Sequence, residues 1–320
     1  MTHQDSPIQV LRTGPVPASE ELGAAFVVHA LDEAATEVPA GVATATRAIA
    51  AAGRRKISDA FMAQLPNLEI IASFGVGYDR VDVEAATRRG IVVTNTPDVL
   101  TEEVADFTIG LLVATVRRIP AADDYVRAGQ WAAGQAFPLS ASLRGRRVGV
   151  VGMGRIGSAI ASRLTAMKLD VAYCSRTPKK ALPYRYVPDV VSLAAESDVL
   201  IVVVPGSSET DGLVGKEALT ALGAQGVLIN VARGTVVDEA ALIAALRDGT
   251  IQSAGLDVFP EEPVVAAELL GMKNVVLTPH IGSATLTTRQ AMGNLLFANI
   301  RNWCSGEGEL TSVNAVARAR

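Results

Sequence analysis

The stretch RVGVVGMGRIG at 147–157 decides the fold of this chain. An apolar run with strand character leads into three glycines, Gly152, Gly154 and Gly157, and the helix-like segment SAIASRLTAM follows. Glycines at these places form a tight turn, let the backbone approach a pyrophosphate, and let the helix pack on the strand. The sequence therefore predicts a dinucleotide-binding loop; three glycines that serve only the turn are the alternative.

The next strand-like run, DVAYC, ends where the adenosine ribose of a bound dinucleotide would lie. A carboxylate here would accept hydrogen bonds from the ribose hydroxyls of NAD. This chain instead has Ser175, Arg176 and Thr177, with Lys179 and Lys180 just beyond. Hydroxyls and a guanidinium suit a 2′-phosphate. The turn predicts that NADP is the preferred cofactor and that NAD binds more weakly, unless it is an ordinary solvated basic turn.

The pattern around this loop is that of an α/β protein with doubly wound parallel sheets. Near-continuous apolar runs, typical of buried parallel strands, recur from residue 147 onward as RVGVVG, DVAYCS, VLIVVVP, VLINVA, SAGLDVF and NVVLTP. Earlier runs, IQVLRT, AAFVVHA, EIIASF and GIVVTN, predict a further set of strands. A helix is predicted from an N-cap at Thr101 to about Arg118, before Pro120, and another over LTTRQAMGNLLFANIRNW, ending at Ser305-Gly306.

Composition limits the class of protein. The chain has 320 residues, of which 49% are hydrophobic and 19% charged, enough for two domains with buried cores. A net charge of -4 gives no reason to expect a nucleic-acid partner. The longest apolar runs are too short to cross a membrane, and the N-terminus lacks the pattern of a signal peptide. Two cysteines and no Cys/His cluster predict no disulfide framework and no metal. A cytoplasmic protein is expected.

Three late strands each deliver one polar residue to the carboxyl edge of the predicted sheet. Arg233 follows VLINVA, Glu262 follows LDVF, and His280 follows VVLTP. An imidazolium can supply a proton to the alkoxide that develops when a ketone accepts a hydride, and a nearby carboxylate keeps that imidazole protonated and oriented. A fixed guanidinium can hold a substrate carboxylate and polarise its keto oxygen. The three together predict reduction of a 2-keto acid, although a lone histidine after a strand is often structural.

His280 is the histidine best placed for this chemistry. The chain has three histidines. His3 lies close to the N-terminus, and His29 lies within an apolar run of the first part of the chain.

Six motifs, in order along nearly the whole chain, show a resemblance to the D-isomer-specific 2-hydroxyacid dehydrogenase family. They are GVGYD at 75–79, NTP at 95–97, GMGRIG at 152–157, NVARG at 230–234, DVFPEEP at 257–263 and PHIGS at 279–283. The resemblance implies that Arg233, Glu262 and His280 are the catalytic residues. It also implies that the backbone of Val76 and Gly77 binds the substrate carboxylate, with Gly75 allowing the approach. Arg233 and His280 would contact the substrate as well.

The resemblance also implies a set of cofactor-binding residues. These are Gly152, Gly154, Arg155, Ile156, Gly157, Ser175, Arg176, Thr177, Pro205, Val231, Ala232, Asp257 and Gly282.

The domain organisation expected from the resemblance is discontinuous. A Rossmann coenzyme domain at 99–285 is inserted into a flavodoxin-like substrate domain at 1–98, which 286–320 completes. Hinges are expected near 98–101 and 283–287. The helix at 101–118 resembles the family's dimer-forming segment and implies a homodimer, although its apolar face could instead belong to the core of its own chain.

Within the family, VVPGSSET at 203–210 and the SRT turn at 175–177 look most like glyoxylate/hydroxypyruvate reductases. The expected reaction is NADPH-dependent reduction of small 2-keto acids, glyoxylate and hydroxypyruvate, to the D-2-hydroxy acids. One alternative is a reductase of a larger keto acid such as 2-keto-D-gluconate. Another is a nicotinamide-sensing transcriptional corepressor, because such proteins share this fold and can keep the catalytic residues.

Overall fold

The computed structural model describes residues 7–17 and 25–316. The chain divides into two compact units, one of Met1–Leu100 with Ala284–Arg320 and the other of Thr101–Ser283. Each unit is built on one parallel β-sheet. His3, considered above, lies outside the described residues.

The first unit contains a five-stranded sheet in the order β2-β1-β3-β4-β5, which is the flavodoxin-like strand order. Its strands are β1 Ile8–Arg12, β2 Phe26–Ala30, β3 Ala48–Ala51, β4 Ile70–Ser73 and β5 Val92–Thr94. Its described helices are α1 Ala40–Ala45, α2 Asp59–Met62, α3 Val83–Arg88 and, from the end of the chain, α11 Leu286–Ser305.

The second unit contains a seven-stranded sheet in the order β12-β11-β10-β9-β6-β7-β8. Its strands are β6 Arg147–Val151, β7 Asp170–Cys174, β8 Arg185–Tyr186, β9 Val199–Val202, β10 Val227–Asn230, β11 Ser253–Leu256 and β12 Val275–Leu277. Its helices are α4 Thr101–Arg117, α5 Ile119–Arg127, α6 Arg155–Ala166, α7 Val190–Ala195, α8 Lys216–Leu222, α9 Glu239–Arg247 and α10 Ala267–Gly271. The strand order reverses between β6 and β9, as in Rossmann folds, so the predicted fold class is confirmed.

Burial explains why the late strands could be recognised from sequence. Every residue of β9 and β10 is buried, as expected for central strands covered by helices on both faces. Helix α4 buries Leu111, Leu112 and Val116, and Leu111 and Leu112 pack with Val150 in one apolar cluster of the second unit. The apolar face of α4 therefore belongs to the core of its own unit.

The structure departs from the predicted elements at several points. Strand β3 is an alanine-rich run, and β8 has only two residues, so neither gave a strand signal. Helix α4 includes Thr101 rather than starting after it, and ends at Arg117. The helix is predicted to end before Pro120, and Pro120 itself lies in the first turn of the next helix, α5. Helix α11 ends at Ser305, as predicted, and Gly306 after it has a left-handed conformation.

Within 7–17 and 25–316, no helix combines the length and the apolar character that a membrane crossing requires.

Candidate active site

The three glycines of the loop after β6 have three different surroundings. Gly152 adopts φ 106°, a conformation that favours glycine, at the tight turn. Gly154 has no heavy atom within 4 Å of the position that a Cβ would occupy. At Gly157 a Cβ would overlap the carbonyl oxygen of Gly152. A turn, an open approach and a close helix contact are the three properties that a pyrophosphate-binding loop requires.

The N-terminus of α6 opens directly on this loop. Its N-cap is Gly154, and no side chain caps the helix there. The first N–H groups of an α-helix have no partner within the helix, and the dipole places positive charge at that end. The first turn, with Arg155 and Ile156, is thus suited to bind a phosphate group. The loop and the helix fit a dinucleotide.

The turn that follows β7 is exposed. Arg176 and Thr177 are exposed, and Ser175 is partly exposed, with its Oγ donating to the carbonyl of Thr177 at 2.8 Å. The Tyr173 hydroxyl accepts a hydrogen bond of 2.6 Å from the N–H of Lys179, which anchors the turn. The three residues predicted to favour NADP lie together beside the glycine loop, because β7 pairs with β6.

The other predicted cofactor residues follow the neighbouring strands. Pro205 follows β9, Val231 and Ala232 follow β10, Asp257 follows β11, and Gly282 lies in the loop after β12. Since these strands are parallel, their carboxyl ends meet at one edge of the seven-stranded sheet.

Asn230 shapes the loop that presents Arg233. Its side chain is 1% exposed; Oδ1 accepts from the N–H of Ala232 at 3.0 Å, and Nδ2 donates to the carbonyl of Arg233 at 3.0 Å. The guanidinium Nη1 of Arg233 donates to the carbonyl of Ala232 at 2.8 Å. Sequence reasoning did not assign Asn230, although an asparagine at the end of a buried strand is a recognisable signal.

Gly234 joins this loop to the loop that carries Glu262. A Cβ at Gly234 would overlap the carbonyl carbon of Phe259 and the nitrogen of Pro260. The two backbones therefore approach each other more closely than any side chain would permit. This contact holds the loop that carries Arg233 close against the loop that carries Glu262.

Asp257 organises the loop of His280. Asp257 is 2% exposed; its Oδ1 accepts from Thr278 Oγ1 at 2.7 Å and from the N–H of Ile281 at 2.9 Å. Its Oδ2 accepts from the N–H of Gly282 at 2.9 Å. Burial raises the pKa of Asp257 above its ordinary value, although these bonds act to lower it. Sequence reasoning assigned Asp257 to the cofactor; the structure adds this support of the histidine loop.

His280 itself has a left-handed backbone, with φ 55°. Such a conformation in a residue other than glycine costs on the order of 1–3 kcal/mol and persists where its surroundings enforce it. The bonds of Asp257 to the two residues that follow His280 provide that enforcement. Strain of this kind is concentrated at functional sites.

The structure brings His280 and Glu262 into contact. Nδ1 of His280 lies 2.9 Å from Oε2 of Glu262, whose other oxygen accepts from the N–H of Phe259 at 3.2 Å. Burial acts to raise the pKa of Glu262, but the hydrogen bond and charge of His280, the Phe259 N–H and the charge of Arg233 together hold it below its ordinary value. Glu262 is therefore a carboxylate at neutral pH, able to orient the imidazole and stabilise its cation.

The predicted substrate loop lies in the first unit. The carbonyl of Val76 accepts from Asn95 Nδ2 at 2.9 Å, and Gly75 exchanges two bonds with Thr96: Gly75 N–H to Thr96 Oγ1 at 3.0 Å, and Thr96 N–H to the Gly75 carbonyl at 2.8 Å. In the described part of the chain, the N–H groups of Val76 and Gly77 donate to no protein acceptor. Two adjacent free donors suit a carboxylate.

The NTP motif at 95–97 supports the substrate loop, because Asn95 and Thr96 bond to its backbone. Sequence reasoning used the motif only as part of a resemblance. His29, by contrast, lies on strand β2, and its Nε2 donates to Gln9 Oε1 at 2.8 Å. Among residues 7–17 and 25–316, no group of three or more His, Cys, Asp or Glu side chains is arranged to hold a metal ion.

Comparisons with known proteins identify the family of the chain. The family model for the NAD binding domain of D-isomer specific 2-hydroxyacid dehydrogenases matches residues 109–282. Glyoxylate/hydroxypyruvate reductase A of Arabidopsis thaliana is 49% identical over 266 residues, which cover 83% of each chain. The 2-ketogluconate reductase of Gluconobacter oxydans is 40% identical over 294 residues, 92% of this chain and 94% of that protein.

Among solved structures, the chain is similar to the NADPH-dependent glyoxylate/hydroxypyruvate reductase of Sinorhizobium meliloti in complex with NADP and malonate. The TM-score is 0.93 at 47% identity, and the match covers 98% of this chain and 99% of that one. The chain therefore belongs to the D-isomer-specific 2-hydroxyacid dehydrogenase family, in its glyoxylate/hydroxypyruvate reductase branch, and is an NAD(P)-dependent oxidoreductase.

Proposed function

We propose that this protein reduces small 2-keto acids, glyoxylate and hydroxypyruvate first, to the D-2-hydroxy acids with NADPH. The observation that carries the proposal is the pairing of His280 with Glu262 at the sheet edge that also holds the glycine loop. Reduction of a ketone by hydride transfer requires a bound cofactor and a proton donor, and a carboxylate bonded to that donor stabilises its protonated form. The similar reductases of Arabidopsis and Sinorhizobium support the choice of substrate.

In this proposal, each residue of the candidate active site has one role in the reduction. A nicotinamide bound at this sheet edge would supply the hydride. His280 donates a proton from Nε2 to the substrate's keto oxygen, while Glu262 accepts a hydrogen bond from Nδ1–H and stabilises the imidazolium. Arg233 polarises the keto oxygen through its charge. The N–H groups of Val76 and Gly77 bind the substrate carboxylate.

The remaining assigned residues hold the cofactor in this proposal. Gly154, Arg155 and Ile156 would bind the pyrophosphate, and Gly152 and Gly157 give the loop its shape. Ser175, Arg176 and Thr177 would bind the 2′-phosphate. The residues at the neighbouring strand ends would hold the rest of the cofactor; these are Pro205, Val231, Ala232, Asp257 and Gly282.

A spectrophotometric panel tests the function directly. Purified protein is mixed with glyoxylate, hydroxypyruvate, pyruvate and 2-keto-D-gluconate, each with NADPH and with NADH, and the loss of absorbance of the reduced cofactor is followed. Glyoxylate and hydroxypyruvate with NADPH should give the highest kcat/KM. The 40% identity to the Gluconobacter enzyme favours 2-keto-D-gluconate as the second candidate, and a higher kcat/KM with that substrate would select it. No turnover with any keto acid would favour a corepressor-like binding protein.

Cofactor preference should depend on Arg176. We expect kcat/KM to be at least roughly tenfold higher with NADPH than with NADH, about 1.4 kcal/mol of discrimination. Arg176→Ala should raise KM for NADPH and leave KM for NADH nearly unchanged, because only NADPH carries the 2′-phosphate that the guanidinium would bind.

The matched control for Arg176→Ala is Arg247→Ala, which removes an exposed guanidinium at the end of α9, where the chain returns to the opposite edge of the sheet. KM for both cofactors should stay at its wild-type value in the control. Equal kcat/KM with NADPH and NADH in the wild type would rule out the proposal that residues 175–177 favour NADPH.

The Glu262 carboxylate should support proton donation by His280. Its pKa lies below the ordinary value, so Glu262 stays ionised at neutral pH and its support is lost only when acid protonates it. Glu262→Gln should lower kcat/KM for keto-acid reduction at neutral pH, because a neutral amide does not stabilise the imidazolium that donates the proton. The measurement is kcat/KM at neutral pH for the wild type and for Glu262→Gln. An unchanged kcat/KM in Glu262→Gln would show that this carboxylate does not support the proton donor.

We also propose a homodimer. The segment from α5 to residue 139 exposes several large apolar side chains, which supports a contact with a second copy of the chain. These are Ile119 at 50% exposed, Val126 at 54%, Trp131 at 71% and Leu139 at 99%. Sedimentation equilibrium would give the mass of the particle in solution.

A further inference from the structure

The end of the chain forms a short strap along the outer edge of β5 in the first unit. We call residues 311–314 the C-terminal strap. The N–H of Val313 donates to the carbonyl of Val93 at 2.9 Å, and the N–H of Val93 donates to Asn314 Oδ1 at 2.8 Å. The N–H of Asn95 donates to the carbonyl of Thr311 at 3.2 Å. The strap therefore runs past the end of β5 and reaches the motif that holds the substrate loop.

Thr311 is the point where the strap, α11 and this motif meet. Its Oγ1 donates to the carbonyl of Asn95 and accepts from Asn299 Nδ2 at 2.9 Å. Its N–H donates to Asn299 Oδ1, also at 2.9 Å. Asn299 lies on α11 and is 1% exposed, and its Nδ2 also donates to the carbonyl of Leu295 at 2.9 Å. Each polar atom of this junction thus has a partner, so its geometry is specified on every side.

The network continues from Asn95 into the substrate loop. The side chain of Asn95 holds the carbonyl of Val76, and its neighbour Thr96 holds both polar backbone groups of Gly75. Gly75 has φ 144°, a conformation with little intrinsic resistance to change in glycine. These bonds hold the loop together with that of Ser73, whose Oγ donates to the carbonyl of Gly77 at 3.2 Å. Both backbone polar groups of Asn95 bond to Thr311, so Thr311 supports the position of Asn95.

We propose that Thr311 and Asn299 are positioning residues for the substrate, acting through Asn95 on the loop of Gly75, Val76 and Gly77. The inference rests on the proposed function, in which this loop binds the substrate carboxylate. If Asn95 is held less firmly, the N–H groups of Val76 and Gly77 no longer point in one direction. A carboxylate must then order the loop when it binds, which costs binding free energy. Because the carboxylate is held in both the ground state and the transition state, the loss falls on KM more than on kcat.

Thr311→Val removes the hydroxyl and keeps the branched shape of the side chain. We expect KM for glyoxylate to rise about tenfold, the scale of one buried hydrogen-bond network losing a member, with kcat within about twofold of wild type and an unchanged Kd for NADPH. Thr311→Ser keeps the hydroxyl and should restore KM to nearly the wild-type value.

The matched control is Asn314→Ala in the same strap. Asn314 bonds to the backbone of Val93 and Ile91 and to the hydroxyl of Thr87, and none of these bonds involves Asn95. It should lower the melting temperature without raising KM. An equal rise of KM in Asn314→Ala and Thr311→Val would show a general loosening of the unit and would overturn the proposal.

A measurement without substrate separates this inference from the proposed function. Amide hydrogen exchange of the peptide that covers residues 73–79 should be faster in Thr311→Val and unchanged in Thr311→Ser and Asn314→Ala. Unchanged exchange in Thr311→Val would overturn the positioning role, whatever the enzyme turns over. Absence of keto-acid turnover by the wild-type protein would instead defeat the proposed function.

Discussion

Replacing His280 with alanine is expected to lower kcat for keto-acid reduction by about 10²–10⁴-fold, because the developing alkoxide loses its proton donor. NADPH binding should be retained, since the glycine loop and the turn after β7 do not depend on the imidazole. Steady-state kinetics gives kcat, and fluorescence titration of the bound reduced cofactor gives its Kd.

The other described histidine provides the control for His280→Ala. His29 pairs with Gln9 on neighbouring strands of the first unit, so His29→Ala should leave kcat near the wild-type value. Near-wild-type turnover in His280→Ala would remove His280 from the mechanism. A loss of NADPH binding together with turnover would instead indicate damage to the carboxyl edge of the sheet.

Gly234→Ala is expected to cause a large loss of folding stability. The new Cβ would overlap backbone atoms of Phe259 and Pro260, which cannot rotate away as the end of a flexible side chain can. Overpacking against backbone must shift one of the two loops, so we expect the free energy of unfolding to fall by at least about 3 kcal/mol. Urea denaturation followed by circular dichroism measures the change. Turnover should fall too, because the shifted loops carry Arg233 and Glu262.

Gly271→Ala is the matched control for this substitution. Gly271 is the last residue of α10 in the same unit, and a Cβ there would have no heavy atom within 4 Å. Its free energy of unfolding should change by no more than about 0.5 kcal/mol, as for surface substitutions in general. A wild-type denaturation midpoint in Gly234→Ala would mean that the two loops can separate freely.

Much of the fold was predictable because its central strands are buried on both faces. The runs that became β9 and β10 consist almost wholly of branched apolar residues, which have a strong strand signal. Strand β3, Ala48–Ala51, has the same buried position but consists largely of alanine, which favours strands weakly. Its strand conformation comes from pairing with β1 and β4, which sequence pattern alone does not reveal.

The candidate site, like the fold, could be predicted only in part from the sequence. Arg233, Glu262 and His280 could be listed from sequence because each follows a strand whose carboxyl end reaches a common edge. The support beneath them could not, since it depends on where side chains and backbones meet. The junction of Thr311 with Asn95 joins residues 216 positions apart. The clash that requires glycine at position 234 likewise exists only once two loops have been brought together.

The exposed turn after β7 has a consequence for how this enzyme could change during evolution or engineering. The side chains of Ser175, Arg176 and Thr177 lie outside the buried core, and the turn is anchored chiefly by the Tyr173 hydroxyl and one internal bond. Substitutions there should cost little folding stability, because surface positions are tolerant. If these residues select the cofactor as proposed, a few surface substitutions would exchange NADPH for NADH and leave His280 and Glu262 unchanged. Under that proposal, the supply of reducing equivalents and the proton-transfer chemistry can change independently of each other.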